Sequence, residues 1–181
     1  AWRWKNPLKN ILRDSKKMTA QDRYTTYEEI LHLSDKGVLL YGVWIMNHDI
    51  IDALGIREAN RRAMESALLS MKDKIWENWE ADFLLIDGRD NYHFDIGMPV
   101  PDYIVRGDDI VPQIMAASVI AKVTRDMIMI DYETLYPGYG FAQHKGYGTE
   151  LHQKSLEKLW VCQIHRKTYE PIRLATSGKG L

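Results

Sequence analysis

Asp87 closes the apolar run DFLLIDG (82–88), and Asp108 and Asp109 stand just before a helical stretch in RGDDIVP (106–112). A carboxylate at the end of a buried strand occupies the place where open α/β sheets put ligand-binding groups. A carboxylate at a helix start meets the positive end of the helix dipole. Two of them brought to one sheet edge would suit Mg²⁺ or Mn²⁺, which take oxygen ligands. Each acid also has a plainer explanation. A strand-end Asp-Gly makes an ordinary turn, and helix capping alone accounts for one of the pair 108–109. Asp126 directly follows Arg125 in the same helical stretch and reads as half of a surface ion pair. None of these acids is diagnostic singly.

The second feature with chemical content is YPGYGFAQHKGYGT (136–149), which packs three tyrosines and four glycines into fourteen positions. Each glycine costs about 1 kcal/mol against alanine in a helix interior, so the stretch is expected to be a shaped loop. Tyr147 lies between Gly146 and Gly148, close to Lys145. A core tyrosine usually sits in a strand or helix; a ring presented on a loop beside a lysine can stack on a sugar or base while the lysine holds phosphate. Further basic residues, Lys16, Lys17, Lys122, His144 and the run His165, Arg166, Lys167, lie in separate segments that a fold could bring to one face. Solvated surface charge is the default reading for each of them.

The elements that must position these groups follow from pattern. Thr19 with Asp22 three residues later marks a helix start, and Tyr24, Tyr27, Ile30 and Leu31 then mark one apolar face. Gly37 ends that helix, and VLLYGVWI (38–45) reads as a strand. IDALGI (51–56) leads into a long helix with a stripe of Met64, Leu68, Met71, Ile75 and Trp79. DFLLIDG is a short strand, and an irregular stretch with Pro99 and Pro101 follows it. Pro112 suits the first turn of the next helix, which runs to about 136. A helix around LHQKSLEKLW and a basic tail complete the chain. Alternating helix and strand is the rhythm of an α/β or α+β domain.

Composition excludes several classes. With 24 Lys plus Arg against 25 Asp plus Glu the net charge is -1, so the chain is no bulk polycation, although a local basic patch can still bind phosphate. At 181 residues and 45% hydrophobic it reads as one globular domain, 1–181. The lone Cys162 forms no internal disulfide and fits a reducing cytoplasm. No apolar run approaches the roughly 20 residues of a membrane span.

Taken in order, DSKK (14–17), IDALGI (51–56), LLIDG (84–88), VRGDDIVPQIMAASVIAKVTRD (105–126), YPGYGFAQHKGYGT (136–149) and IHRKTYEP (164–171) closely resemble the bacterial ribonuclease HII family. The resemblance implies an α/β fold, a ribonuclease-H-like mixed sheet flanked by helices. It implies a monomeric endonuclease that cuts the RNA strand of RNA–DNA hybrids and cuts 5′ to a ribonucleotide embedded in duplex DNA. Four carboxylates would hold two Mg²⁺ or Mn²⁺ ions, and Asp87 and Asp108 match the third and fourth. Tyr147 matches the tyrosine that packs on the deoxyribose beside the ribonucleotide, with Lys145, Lys16 and Lys17 as further nucleic-acid contacts. Arg106 stands where the family usually has lysine, which keeps the charge but alters the hydrogen-bond geometry.

One departure from the family matters. The family opens with a strand ending in Gly-x-Asp-Glu-x-Gly-Arg-Gly, which supplies the first two metal ligands and the contacts to the 2′-hydroxyl, and this motif does not occur in the sequence. The expectation is an N-terminally incomplete domain that lacks its first strand, since the sequence begins AWRWKNPLKNIL without an initiator methionine. The alternatives are a strand supplied by a separate chain, or a degenerate relative that binds nucleic acid without cutting it. A generic metal-dependent phosphatase would share the acids but would have no need of the Tyr147 loop.

Overall fold

The computed structural model describes residues 8, 12, 18–72, 74 and 81–177. The expected Lys16, Lys17, Ile75 and Trp79 lie outside them. The described residues form a mixed α/β arrangement that is mostly helical: α1 (Ala20–Asp35), α2 (His48–Leu54), α3 (Ile56–Lys72), β1 (Leu85–Asp87), β2 (Asp102–Ile104), α4 (Gly107–Ile110), α5 (Pro112–Leu135), α6 (Phe141–His144), α7 (Glu150–Leu159) and α8 (Glu170–Thr176). The chain falls into two compact units, Ala1–Trp44 with Ala63–Val123, and Ile45–Arg62 with Thr124–Leu181.

In the first unit, α1 starts as its sequence dictates. The Thr19 hydroxyl accepts from the Asp22 amide while the Asp22 carboxylate accepts from the Thr19 amide, a reciprocal cap. Its inner face is Ile30 and Thr26, and Ile30 joins Ala116, Val119, Ile120 and Val123 of α5 in one core cluster. Burying an aliphatic side chain of this size contributes about 1.5–3 kcal/mol. Tyr27 packs against that cluster, whereas Tyr24 is exposed, so the apolar face is narrower than the pattern suggests.

The expected strand at 38–45 does not form a ladder among the described residues. Its side chains nonetheless alternate: Leu39, Tyr41 and Val43 pack on the first core cluster, while Val38, Leu40 and Trp44 are exposed. The period of two was legible, but a strand also needs a partner for its amides and carbonyls. Gly42 faces α3 so closely that a Cβ there would lie 2.1 Å from the Ala67 carbonyl oxygen. One face of the segment thus packs on α3, and among the described residues no other strand pairs with its edges.

The sheet consists of β1 and β2, parallel, with Leu85 opposite Asp102, Ile86 opposite Tyr103 and Asp87 opposite Ile104. β2 falls in a stretch that the sequence pattern left irregular. A second core cluster of Leu84, Ile86, Tyr92 and Phe94, with Met64 and Leu68 of α3 packed on it, buries this sheet. The Tyr103 hydroxyl accepts from the Tyr92 amide and donates to the Tyr92 carbonyl, both at 2.7 Å, which pins the chain after β1 to the neighbouring strand.

The second unit is built around Tyr139, Phe141, Leu156 and Ile172, with Tyr132 of α5 against them. α8 lies in what the sequence pattern left as a basic tail. Here the Asp52 carboxylate of α2 accepts from the Lys167 and Thr168 amides at 2.6 and 3.0 Å. Those hydrogen bonds with the Thr168 hydroxyl hold its pKa below the ordinary value against the opposing effect of desolvation, the largest single influence.

Candidate active site

Asp87 and Asp108 stand at the same, carboxyl-terminal end of the parallel pair, Asp87 as the last residue of β1 and Asp108 four residues beyond the end of β2. One hydrogen bond links them locally. The Gly107 amide donates to the Asp87 carboxylate at 2.7 Å, so the residue preceding Asp108 is tied directly to Asp87. The chain reaches that position through Arg106, whose φ of 59° is left-handed, a conformation that costs an L-residue roughly 1–2 kcal/mol. Gly107 follows, buried against Ile114 at this point. A Cβ there would lie 2.7 Å from Ile114 Cδ1 and 3.5 Å from the Asp87 carboxylate oxygen.

The neighbouring acid is engaged differently. The Arg106 guanidinium donates twice to Asp109, at 2.9 and 2.8 Å, closing an ion pair across one turn. Of the two adjacent acids, Asp109 serves to hold Arg106. Asp108 sits in the first turn of α4, partly exposed, and Asp87 is exposed. Two carboxylates at one strand end present hard oxygen donors of the kind a divalent cation takes. Among the described residues no group of three or more His, Cys, Asp or Glu is arranged to hold a metal ion. The donor type therefore fits, and the number falls short of a complete ligand set.

The glycine-rich stretch, expected as a loop, contains one helical turn, α6, bracketed by left-handed Gly140 and Lys145. Glu133 of α5 anchors it by accepting from the Gly138 and Ala142 amides at 3.2 and 3.3 Å. The Lys145 ammonium turns back and donates to the Ala142 carbonyl. Tyr147 is 54% exposed. The Arg125 guanidinium lies over one face of its ring, 5.0 Å from the centroid.

His144 and His165 are not surface charges, as their basic neighbours suggested. Together with His152 they are buried around Phe141, itself 2% exposed. The ring centroids of His144, His152 and His165 lie 5.7, 5.6 and 5.7 Å from that of Phe141, while Tyr139 stacks on it at 5.2 Å. Burial pushes the His152 imidazole pKa down to about 4, and burial also lowers that of His165. Cys162, whose Sγ is 3.1 Å from His165 Nδ1, has its thiol pushed up by burial, which removes it as a thiolate nucleophile. The signal for this cluster lay in the aromatic density of 136–144: so many rings on a glycine-rich backbone must bury one another.

No helix among the described residues is long and apolar enough to cross a membrane. The sequence model of ribonuclease HII matches residues 5–172. The chain is 43% identical to ribonuclease HII of Acholeplasma laidlawii (strain PG-8A) over 162 residues, which is 89% of this chain and 72% of that protein. It is 39% identical to ribonuclease HII of Alkaliphilus metalliredigens (strain QYMF) over 158 residues, 87% of this chain and 74% of that protein. It is likewise 39% identical to ribonuclease HII of Enterococcus faecalis (strain ATCC 700802 / V583) over 163 residues, 90% of this chain and 58% of that protein. A match of this identity along most of the sequence decides the matter: the chain belongs to the ribonuclease HII family.

Proposed function

We propose that the protein is a divalent-metal-dependent endonuclease that hydrolyses the RNA strand of RNA–DNA hybrids and cuts 5′ to ribonucleotides embedded in duplex DNA. Beyond family membership, the observation that carries this reading is the bond from the Gly107 amide to the Asp87 carboxylate. It ties the residue before Asp108 to the strand-end Asp87.

Asp87 and Asp108 would hold Mg²⁺ or Mn²⁺ as two of four carboxylates on a ribonuclease-H-like sheet. In the family the other two come from an Asp-Glu pair on a first strand, a dipeptide that this sequence does not contain. The chemistry such ions supply when bound is activation of water and neutralisation of charge on the leaving 3′-oxygen. The chain's own residues bind and orient. Tyr147 offers one ring face to a sugar while Arg125 covers the other. An ammonium has three donors, so the bond from Lys145 to Ala142 leaves capacity for a phosphate oxygen. Lys16 and Lys17 would add phosphate contacts that position the duplex without reading its sequence. The lone cysteine supports a cytoplasmic setting.

The test is product mapping, with Mn²⁺ and the chain extended by a family-type first strand carrying an Asp-Glu pair, on a labelled DNA duplex carrying one ribonucleotide. A single cut 5′ to the ribonucleotide, cutting of an RNA–DNA hybrid and no cut in the all-DNA duplex are expected. Equal cleavage of the all-DNA duplex would overturn the reading.

A further inference from the structure

The buried histidines are joined into a chain with one direction. Backbone amides, which can only donate, fix its start. The Cys162 amide donates to His165 Nδ1 at 3.0 Å, so that nitrogen carries no proton and the proton sits on Nε2. The Cys162 carbonyl, 3.2 Å from the same nitrogen, accepts from the His165 amide instead. His165 Nε2–H then donates to His152 Nε2 at 3.2 Å. His152 is thereby left with its proton on Nδ1, which donates to the Tyr147 carbonyl at 3.1 Å. His144 follows the same logic. The Gly146 amide donates to its Nδ1 at 3.1 Å, so its Nε2–H donates to the Tyr139 carbonyl at 2.8 Å. The rings of His144 and His152 stack with centroids 4.2 Å apart. Every ring nitrogen in the chain is used, and each tautomer is fixed by its neighbours.

The chain ends on the backbone of Tyr147, a loop residue whose ring is exposed and backed by the Arg125 guanidinium. The Tyr147 amide also donates to the His144 carbonyl at 2.9 Å, and the Tyr147 carbonyl accepts from the Thr149 amide at 2.8 Å besides His152, so the histidine cluster holds both of its backbone polar groups with Thr149 sharing the carbonyl. We infer that His152 is a positioning residue for nucleic-acid binding: its Nδ1–H, oriented by His165, fixes the Tyr147 backbone and so holds the ring in the attitude in which it meets a sugar. The inference rests on the reading of Tyr147 as a sugar contact. Holding the ring in advance removes an ordering cost that would otherwise be met on binding.

Asparagine and glutamine separate the two ends of the imidazole. The Asn side-chain amide reaches the position of Nδ1 and keeps the donor to Tyr147, whereas Gln reaches that of Nε2 and keeps only the side facing His165. The experiment measures affinity of the intact protein, without activating metal, for a DNA duplex carrying one ribonucleotide, for His152→Asn and His152→Gln, each alone and combined with Tyr147→Ala. Tyr147→Ala should weaken binding about tenfold, the scale of one stacking contact. His152→Asn should stay within about twofold of the parent, His152→Gln should lose several-fold, and that loss should vanish once Tyr147 is Ala. Equal losses for Asn and Gln, a Gln loss that persists in the Tyr147→Ala protein, or an Asn variant that fails to fold would each overturn the inference. No change from Tyr147→Ala alone would instead sink the reading of Tyr147 on which it rests.

Discussion

At the end of β1, one carboxylate is steadied by one backbone amide and remains exposed; in the stretch 136–149, backbone polar groups are taken up by the loop's own His144 and by Glu133 and His152 of the flanking helices. The first region is arranged around charge that asks for a cation. The second is satisfied before any ligand arrives. On the proposed function, chemistry and recognition would rest on different physics, exposed carboxylate charge against a hydrogen-bonded aromatic loop. Damage to the first should appear in metal dependence and rate, and damage to the second in affinity.

The largest effect concerns the unfilled part of the carboxylate set. A polypeptide of these 181 residues alone should bind Mg²⁺ poorly and show little or no hybrid hydrolysis, because two carboxylates cannot position both the attacking water and the leaving oxygen. Adding a family-type strand with an Asp-Glu pair should restore cleavage. Robust metal-dependent cleavage by the 181 residues, with mass confirmed, would mean that other ligands exist. Next in size is Gly107→Ala. The Cβ would crowd Ile114 at 2.7 Å, and overpacking of this kind costs about 1–3 kcal/mol. Thermal unfolding should register that loss, and cleavage should fall further than stability alone explains, since the amide that holds Asp87 must move.

On the recognition side, Tyr147→Ala should weaken binding roughly tenfold, whereas Tyr132→Ala, whose ring packs on Tyr136 in the second unit's core, should cost stability with little change in affinity of the folded protein. Equal affinity losses would make Tyr147 a packing residue. The smallest effect is on stability against pH. His152 is held well below its ordinary pKa of 6.5, at about 4, so between those values the unfolded chain binds more protons than the folded one. Stability is therefore full above about 6.5 and declines as pH falls toward 4. Denaturant titrations at pH 7 and pH 5 check this, and His152→Asn should flatten the difference.

The parts of this account that were legible in the sequence are those set by local rules. The Thr19–Asp22 cap, Pro112 at the start of α5 and the strand-end Asp87 all follow from neighbouring residues. What escaped depends on long-range partners. β2 is three residues long and exists only because β1 offers it a ladder. Residues 38–45 have the alternation of a strand but find no strand to pair with among the described residues. His144 and His165 looked basic because they stand beside lysine and arginine, yet their burial is decided by Phe141 and His152, residues that the sequence does not place beside both. Asp109 was separated from Asp108 only by the side-chain geometry of Arg106.

The central claim is that Asp87 and Asp108 together hold the catalytic cation, and a Mn²⁺ titration followed by calorimetry tests it most directly. The chain extended by the family-type strand should bind Mn²⁺, and Asp87→Asn and Asp108→Asn in it should each weaken binding by more than the roughly 10–100-fold that loss of an outer-shell partner costs. Both variants should keep the parent's affinity for uncut duplex in the absence of metal. Unchanged Mn²⁺ binding in either variant, with the fold intact, would contradict the assignment of that carboxylate and with it the site at the end of β1.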